Sequence, residues 1–427
     1  MGDAYTVLIV GGGGREHAMG WSFGRDPRIR KIWFAPGNAG TAQLGTNLPF
    51  AATDVDGLTR WAEKERPGLV VVGPEAPLCA GLADRLRAKG LRVFGPGADG
   101  ARLEGSKSFC KELLVSEKIP TAKAGSFTDE KEAVRFSTSL PCPQVVKADG
   151  LAAGKGVVIA ETHEQAAKAI HEMMADRVFG EAGSKVLIEE FLDGEELSVH
   201  AVTDGKNLVV LPGAQDHKRV GEGDTGLNTG GMGAYAPAPK ATPDLLREVK
   251  EKILQPTLAG LAKRNIDYRG VLYAGLMLTK EGPKVLEFNA RFGDPETEVL
   301  LPLLETPLWD LLGAAADGKL RGTTLRTGAG AAMTVVLAAP GYPAQPVLGQ
   351  PIRFGQGVAD SAVFHAGTKA DKEGIRVSGG RVMAVTGWGS NLENGRDRAY
   401  AAVREICFEG MHYRQDIGHR ALRKSVA

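Results

Sequence analysis

Leu69-Val70-Val71-Val72 offers no side chain to water, and this run constrains the fold more than any other. A strand that is apolar on both faces must be covered on both, the mark of a parallel sheet with helices packed on either side. Thr6-Val7-Leu8-Ile9-Val10 has the same character and runs into Gly11-Gly12-Gly13-Gly14-Arg15-Glu16-His17, after which the sequence can be helical from about Glu16. Lys31 to Phe34 and Arg92 to Gly95 read as further strands. After Gly73, a helix is expected from Pro77, with Leu78, Leu82 and Leu86 at four-residue spacing and Gly90 as its stop. Residues 1–105 therefore read as an open α/β sheet domain. Its loops after the strands, Gly11 to His17, Gly37 to Thr41 and Gly73 to Pro77, converge on one ligand-binding edge that carries Asn38 and Glu75. The first turn presents backbone N–H groups at a helix N-terminus, where an anion is stabilised. It is no dinucleotide fingerprint, because the third glycine would fall on Glu16 and no acidic residue follows the Lys31 strand. A phosphate on a smaller substrate fits better; the alternative is that the glycines only let helix and strand pack closely.

A length of 427 residues suggests about three domains. The net charge of +1, with both signs well mixed, points to neither nucleic acid nor an anionic membrane as partner. The 57 glycines gather in short clusters, where backbone turns tightly or approaches a ligand. Cys79, Cys110, Cys142 and Cys407 are scattered without metal spacing, which favours a reducing compartment. No signal peptide or membrane span is apparent, so a cytoplasmic protein is expected.

In the middle of the chain, Ser106-Lys107 opens a helix that ends before Pro120. Gln144 to Ala148 is a strand, and Asp149-Gly150-Leu151-Ala152-Ala153-Gly154-Lys155-Gly156 leads into another at Val157. Asp149 stands where a Walker A loop has its first glycine, and Gly156 where it has Ser or Thr, so the pattern is instead a glycine-rich hairpin over phosphates with Lys147 and Lys155 as cations. Val186 to Leu192 is a strand, with Glu195-Glu196 beyond a turn. Gln215 to Arg219 and the glycine-rich Asn228 to Tyr235 suit an anionic substrate, though either stretch alone is also an ordinary solvated loop. Val271 to Met277 pairs through the turn at Lys280 to Pro283 with Val285-Leu286-Glu287-Phe288-Asn289-Ala290-Arg291. There Leu286 and Phe288 are expected on one face, with Glu287, Asn289 and Arg291 on the other. Glu287 and Asn289 offer two hard oxygen ligands for Mg²⁺ shared with phosphates, and Arg291 a planar fork for a phosphate or carboxylate. In the tail, Ala332 to Leu337, Val363 to Ala366 and Val382 to Val385 read as strands and Arg398 to Ile406 as a helix. The segments His365 to Thr368 and Gly379-Gly380-Arg381 read as turns.

Lys107, Lys147, the Gly154 hairpin, Glu189-Glu190-Phe191-Leu192 with Glu196, and Glu287-x-Asn289 resemble the ATP-grasp superfamily in order and spacing. The Gly11 to His17 turn, Lys147 to Gly156, Gln215 to Arg219, Asn228 to Tyr235 and Arg291 to Glu296 resemble, within it, the phosphoribosylamine-glycine ligase family of purine biosynthesis, over essentially the whole chain. The resemblance implies a multidomain α/β and α+β fold: an N-terminal open α/β domain (1–105), central ATP-grasp domains (106–325, with about 120–190 covering ATP) and a small C-terminal mixed domain (326–427). It implies that Lys107, Lys147, Gly154, Lys155, Gly156 and Val157 attend the ATP phosphates, Glu189 to Leu192 the adenine and Glu196 the ribose. Glu287 and Asn289 would hold Mg²⁺ or Mn²⁺. Glycine would react with ATP to give glycyl phosphate, which 5-phosphoribosylamine then attacks. Arg291, Lys155 and Asp216 are the expected catalytic set, with Asp216 facing the glycine ammonium. Gly12, Gly13, Gly14, Arg15, Glu16, Asn38, Glu75 and Lys218 join Asp216 and Arg291 around the substrates, the glycine turn taking the sugar phosphate. The partners implied are small molecules alone, acting on a monomer. The sequence departs from many ATP-grasp enzymes in lacking an acidic metal ligand in Ala274 to Leu278, and from the family in Leu227 for proline and Glu222 for aspartate.

Overall fold

The computed structural model describes residues 5–150 and 156–422. The apolar runs near the N-terminus form a five-stranded parallel sheet in the order Thr46–Asn47, Lys31–Pro36, Thr6–Gly11, Leu69–Val72, Val93–Phe94. The chain leaves the central strand Thr6–Gly11 toward one side and returns on the other at Leu69–Val72. The switch point thus falls where the glycine turn and the Gly73 loop emerge, and a crevice opens there in such sheets. The helix after the first strand begins at Gly14, not Glu16. The single helix expected from Pro77 is two, Glu75–Cys79 and Leu82–Ala88, because Gly81 between them is left-handed at φ +79°. Leu78, Leu82 and Leu86 are nevertheless all fully buried.

The Ser106 hydroxyl caps the helix Lys107–Ser116 by accepting from Phe109 N. Beyond it, a four-stranded antiparallel sheet runs Ala124–Phe127, Val186–Glu190, Gln144–Ala148, Val157–Ala160, with helices Glu130–Ser139 and His163–Met174 closing a small core around Val146, Ile170 and Ile188. The expected hairpin is present, since Lys147 pairs with Val157. A second antiparallel sheet runs Leu208–Val210, Glu195–Thr203, Gly270–Thr279, Gly282–Asn289.

The third large sheet is antiparallel in the order Gln215–Asp216, Gly233–Ala236, Ala331–Ala338, Arg381–Gly389, Ser361–His365. Its first two strands come from the middle of the chain and the rest from the tail. The helix Leu392–Arg404 packs on it and starts six residues before Arg398, capped by Asn391 accepting from Asn394 N. One buried cluster contains Leu8, Phe288, Met333 and Ile417, so the N-terminal, middle and C-terminal segments share a core. No helix among the described residues is long and apolar enough to cross a membrane.

Candidate active site

Glu287 and Asn289 stand opposite Gly275 and Tyr273 and so share one face of the second sheet. The apolar partner of Phe288 on the other face is Val285, not Leu286. A bulge pairs Leu276 with Val285 and Gly275 with Glu287, leaving Leu286 as the extra residue, half-buried. The Leu286 carbonyl is thereby released from the ladder and accepts from Lys147 Nζ at 3.2 Å. Among the described residues neither Glu287 nor Asn289 spends its side chain on a hydrogen bond, and Glu287 is exposed. Crowding around Glu287 would raise its carboxyl, but the charges of Lys218, Lys147, Lys107 and Arg291 outweigh that and hold it below the usual range. One free carboxylate ringed by four cations is a poor structural ion pair and a good place for a metal-bound polyphosphate.

The cations are themselves held. Lys147 is paired with Glu189, as is Lys111 at 2.5 Å, and Glu189 is only 3% exposed. Burial pushes the Glu189 carboxyl up, but the two ammoniums outweigh it and keep it low. The pairing is diagonal across neighbouring strands, because Lys147 stands opposite Leu187 in register. Lys111 also donates to Thr121 Oγ1 at 2.6 Å and to the Ala122 carbonyl at 3.2 Å. Sequence reasoning missed Lys111, although it lies four residues after Lys107. Lys107 Nζ donates to the Gly150 carbonyl at 2.9 Å, and burial lowers its affinity for a proton. Gly154 and Lys155 lie outside the described residues; the Gly156 carbonyl closes the hairpin by accepting from Ala148 N at 2.8 Å. Glu190 accepts from Lys123 N at 3.0 Å, Phe191 is exposed and Leu192 is buried.

Lys218 bridges Glu196 at 3.2 Å and Asp216 at 3.1 Å. Burial dominates at Asp216 and raises its carboxyl, even with Lys218 beside it. Arg291 meets Glu104 at 2.9 Å and Glu75 at 3.5 Å. Glu104 also accepts from Ala290 N at 2.8 Å and so fixes both the guanidinium and the backbone beside it. Its position in the short Ala98–Gly105 helix gave no sequence signal. Behind this face, Glu296 Oε1 accepts from Ser198 Oγ at 3.0 Å and from Tyr273 OH at 2.5 Å. Neutral His200, held by burial and the nearby Arg291 charge down to about 3, accepts from Gly293 N.

The glycine turn meets this region through Asp294. A Cβ on Gly12 would stand 2.6 Å from the Gly37 carbonyl, so backbone passes too close there for any side chain. Two expected substrate contacts are committed to the fold instead. Glu16 is 1% exposed, accepting from Gly13 N and from Arg15 Nε, both at 2.6 Å. Asn38 donates to Gly12 O at 3.0 Å and His365 O at 2.7 Å, and accepts from Gly40 N and Thr41 N. Arg15 Nη1 donates to the Phe292 carbonyl at 2.9 Å, and Arg15 N to Asp294 Oδ2 at 3.3 Å. The amides expected to await an anion are thus partly taken by carboxylates.

The tail contributes more than turns. Arg381 pairs with Asp294 at 3.1 Å and donates to the carbonyl of Gly230 at 2.6 Å. His365 N donates to His17 Nδ1 at 2.7 Å, and burial keeps His17 at about 3 and His365 at about 4. A separate group, His217, Asp224 and His419, has ligand spacing for a metal, but proton bookkeeping argues otherwise. His217 Nε2 accepts from Gly418 N at 3.0 Å, so Nδ1 carries the proton it turns toward Asp224, and Arg414 and Arg420 already neutralise that carboxylate.

A strand pair carrying Lys147, a Glu-x-Asn face and an arginine beside it, on two antiparallel sheets, define an ATP-grasp ligase. Family models agree: phosphoribosylglycinamide synthetase N domain matches residues 5–104, its ATP-grasp (A) domain 105–297 and its C domain 332–420. The chain belongs to the phosphoribosylamine-glycine ligase family. It is 49% identical to the phosphoribosylamine-glycine ligase of Chlorobaculum tepidum over 97% of this chain and 100% of that one, and 49% identical to that of Synechocystis over 97% and 100%. The crystal structure of the Thermotoga maritima phosphoribosylamine-glycine ligase matches with TM-score 0.84 and 36% identity, over 96% of this chain and 100% of that one. A biotin carboxylase domain from Hydrogenobacter thermophilus, crystallised with MgADP and bicarbonate, shares the fold at TM-score 0.74 and 17% identity, over 96% of this chain and 91% of that one.

Proposed function

We propose that this chain joins glycine to 5-phosphoribosylamine at the expense of ATP. The observation that carries the reading is the ring of Lys107, Lys147, Lys218 and Arg291 about the free Glu287 carboxylate. A glycine carboxylate oxygen attacks the γ-phosphorus and ADP leaves, giving glycyl phosphate. The amine nitrogen of phosphoribosylamine then attacks the carbonyl carbon, phosphate leaves and the nitrogen loses a proton, forming N1-(5-phospho-D-ribosyl)glycinamide. No protein nucleophile is needed, so the chain acts by positioning and by cations facing phosphoryl charge.

Lys107 and Lys147 take the phosphates, with Gly154, Lys155, Gly156 and Val157 as further phosphate contacts. The backbone of Glu189 to Leu192 takes adenine, and Glu196 the ribose hydroxyls. Glu287 and Asn289, uncommitted and on one face, would hold Mg²⁺, with Mn²⁺ as a substitute; the ion would supply charge that neutralises phosphate oxygens. Arg291, fixed by Glu104, faces the reacting carboxylate, and Asp216 with Lys218 faces glycine. Gly12 to Arg15, with Glu75 and Asp294, bounds the phosphoribosyl site. The chain works as a cytoplasmic monomer on small molecules alone, in three units near 1–105, 106–325 and 326–427, the middle lending two strands to the last.

The test is ADP release by the purified chain with Mg²⁺, ATP, glycine and phosphoribosylamine generated in place, each omitted in turn. Turnover that requires both glycine and the amine supports the reading. ADP release without either overturns the substrate assignment.

A further inference from the structure

Glu298 is a buried acid whose two carboxyl oxygens both lack a hydrogen-bond partner among the described residues. It sits in the short helix Thr297–Leu300, 0% exposed. A carboxylate in that state would carry an unpaired buried charge, whose solvation loss is far larger than any packing gain. The same side chain supports the glycine turn from below, since a Cβ built on Gly14 would stand 2.5 Å from Glu298 Oε1. Gly14 is the first residue of the helix Gly14–Gly24, whose open end faces Asp294.

The charged and titratable groups around it are few. On its own segment they are Asp294, paired with Arg381, and Glu296, engaged by Ser198 and Tyr273. The packed helix Gly14–Gly24 brings Arg15, Glu16 and His17, of which Arg15 and Glu16 are paired with each other and His17 is neutral. Strand Arg381–Gly389 brings Arg381 and strand Gly233–Ala236 brings Tyr235, while Ala331–Ala338 and Leu301–Leu303 bring none. Both arginines therefore already have carboxylate partners, and none is left for Glu298. Burial first, and then the Asp294 charge, push its carboxyl well above the ordinary range.

We propose that Glu298 is a positioning residue for the phosphoribosyl substrate that works as a neutral acid: it supports Gly14 and leaves Asp294 unopposed as the acidic group facing the turn. The proposal rests on the reading of the glycine turn as the phosphoribosyl site. It assigns a role to shape and proton together. An amide of the same outline should replace the acid, and a truncated side chain should not.

The experiment uses the full chain in three forms: unaltered, Glu298→Gln and Glu298→Ala. Binding of the stable product, N1-(5-phosphoribosyl)glycinamide, is measured by calorimetry at pH 7, and the infrared carbonyl band of a protonated buried carboxyl is recorded for each. The expected result is a band in the unaltered chain that E298Q loses, product affinity in E298Q within about twofold of the original, and affinity in E298A weaker by about tenfold or more. A missing band in the unaltered chain, a tenfold loss in E298Q, or an E298A that binds as well as the original overturns the proposal. Absence of product binding by the unaltered chain overturns the reading of the glycine turn instead, and the substrate role of Glu298 with it, while the band still reports its proton.

Discussion

Replacing Glu189 by Gln removes the one carboxylate that two buried lysines share. Lys147 keeps the Leu286 carbonyl, and Lys111 keeps Thr121 and Ala122, but among the described residues neither retains a carboxylate within ion-pair distance. Breaking a buried pair by deleting one partner costs about 3–5 kcal/mol. A ceiling on the cost per lysine follows from proton loss: shifting an ammonium from its ordinary value near 10.4 to neutrality at pH 7 costs about 4.6 kcal/mol, and at pH 9 only about 1.9. The destabilisation of E189Q should therefore shrink as pH rises. Amide hydrogen exchange in strands Gln144–Ala148 and Val186–Glu190, corrected for intrinsic rates, reads the local opening free energy. At pH 7 those amides should exchange roughly a hundred to several thousand times faster than in the unaltered chain. ATP-dependent turnover should fall as well, because Lys147, which the proposed function sets on the phosphates, loses the carboxylate that holds it. A change below tenfold at pH 7, or a loss that grows toward pH 9, would refute this account of the pair.

Glu287→Ala should abolish Mg²⁺-dependent ADP release while shifting stability by less than about 0.5 kcal/mol, since the residue is exposed and uncommitted; activity near the original removes it from the metal site. Arg381→Met should raise KM for phosphoribosylamine about tenfold or more and leave KM for ATP unchanged, because its partners are Asp294 and Gly230; a matching rise for ATP would contradict the assignment. His17, His200 and His365 have folded values of about 3, 3 and 4. Below pH 6.5 the unfolded chain therefore takes up protons that the folded one refuses, and stability is lost as pH falls from 6.5 toward 4. Each histidine contributes a slope of about 1.4 kcal/mol per pH unit. A melting temperature unchanged between pH 7 and 5 would show that they are not buried as described.

Much of this was legible from side-chain pattern alone. Continuous apolar runs specify strands covered on both faces, and Glu287-x-Asn289 survives as a shared face whatever happens beside it. The bulge at Leu286 was not legible, because alternation assumes an unbroken ladder and nothing local distinguishes Leu286 from Val285. The committed roles of Glu16 and Asn38 were hidden for a related reason: their partners are backbone groups of Gly13, Gly12 and His365, which leave no trace in residue type. Glu104 and Arg381 reach the site from 187 and 90 positions away from Arg291 respectively, and long-range ion pairs have no period to read. Lys111 is illegible for the same reason, since its partner Glu189 lies 78 positions further along the chain.

The antiparallel sheet that joins Gly233–Ala236 to Ala331–Ala338 has a consequence for how the chain is made. During synthesis the strand Gly233–Ala236 emerges well before Arg381–Gly389, which completes that sheet. At roughly 5–20 residues per second, the intervening chain takes on the order of ten to thirty seconds to appear. Until Ala331–Ala338 arrives, part-way through that interval, the free edge of Gly233–Ala236 stays open while the N-terminal parallel sheet can already close. The strands from Ala331 on therefore complete the sheet to which Asp216 belongs, and a chain halted before Ala331 would have a folded beginning and an incomplete third sheet.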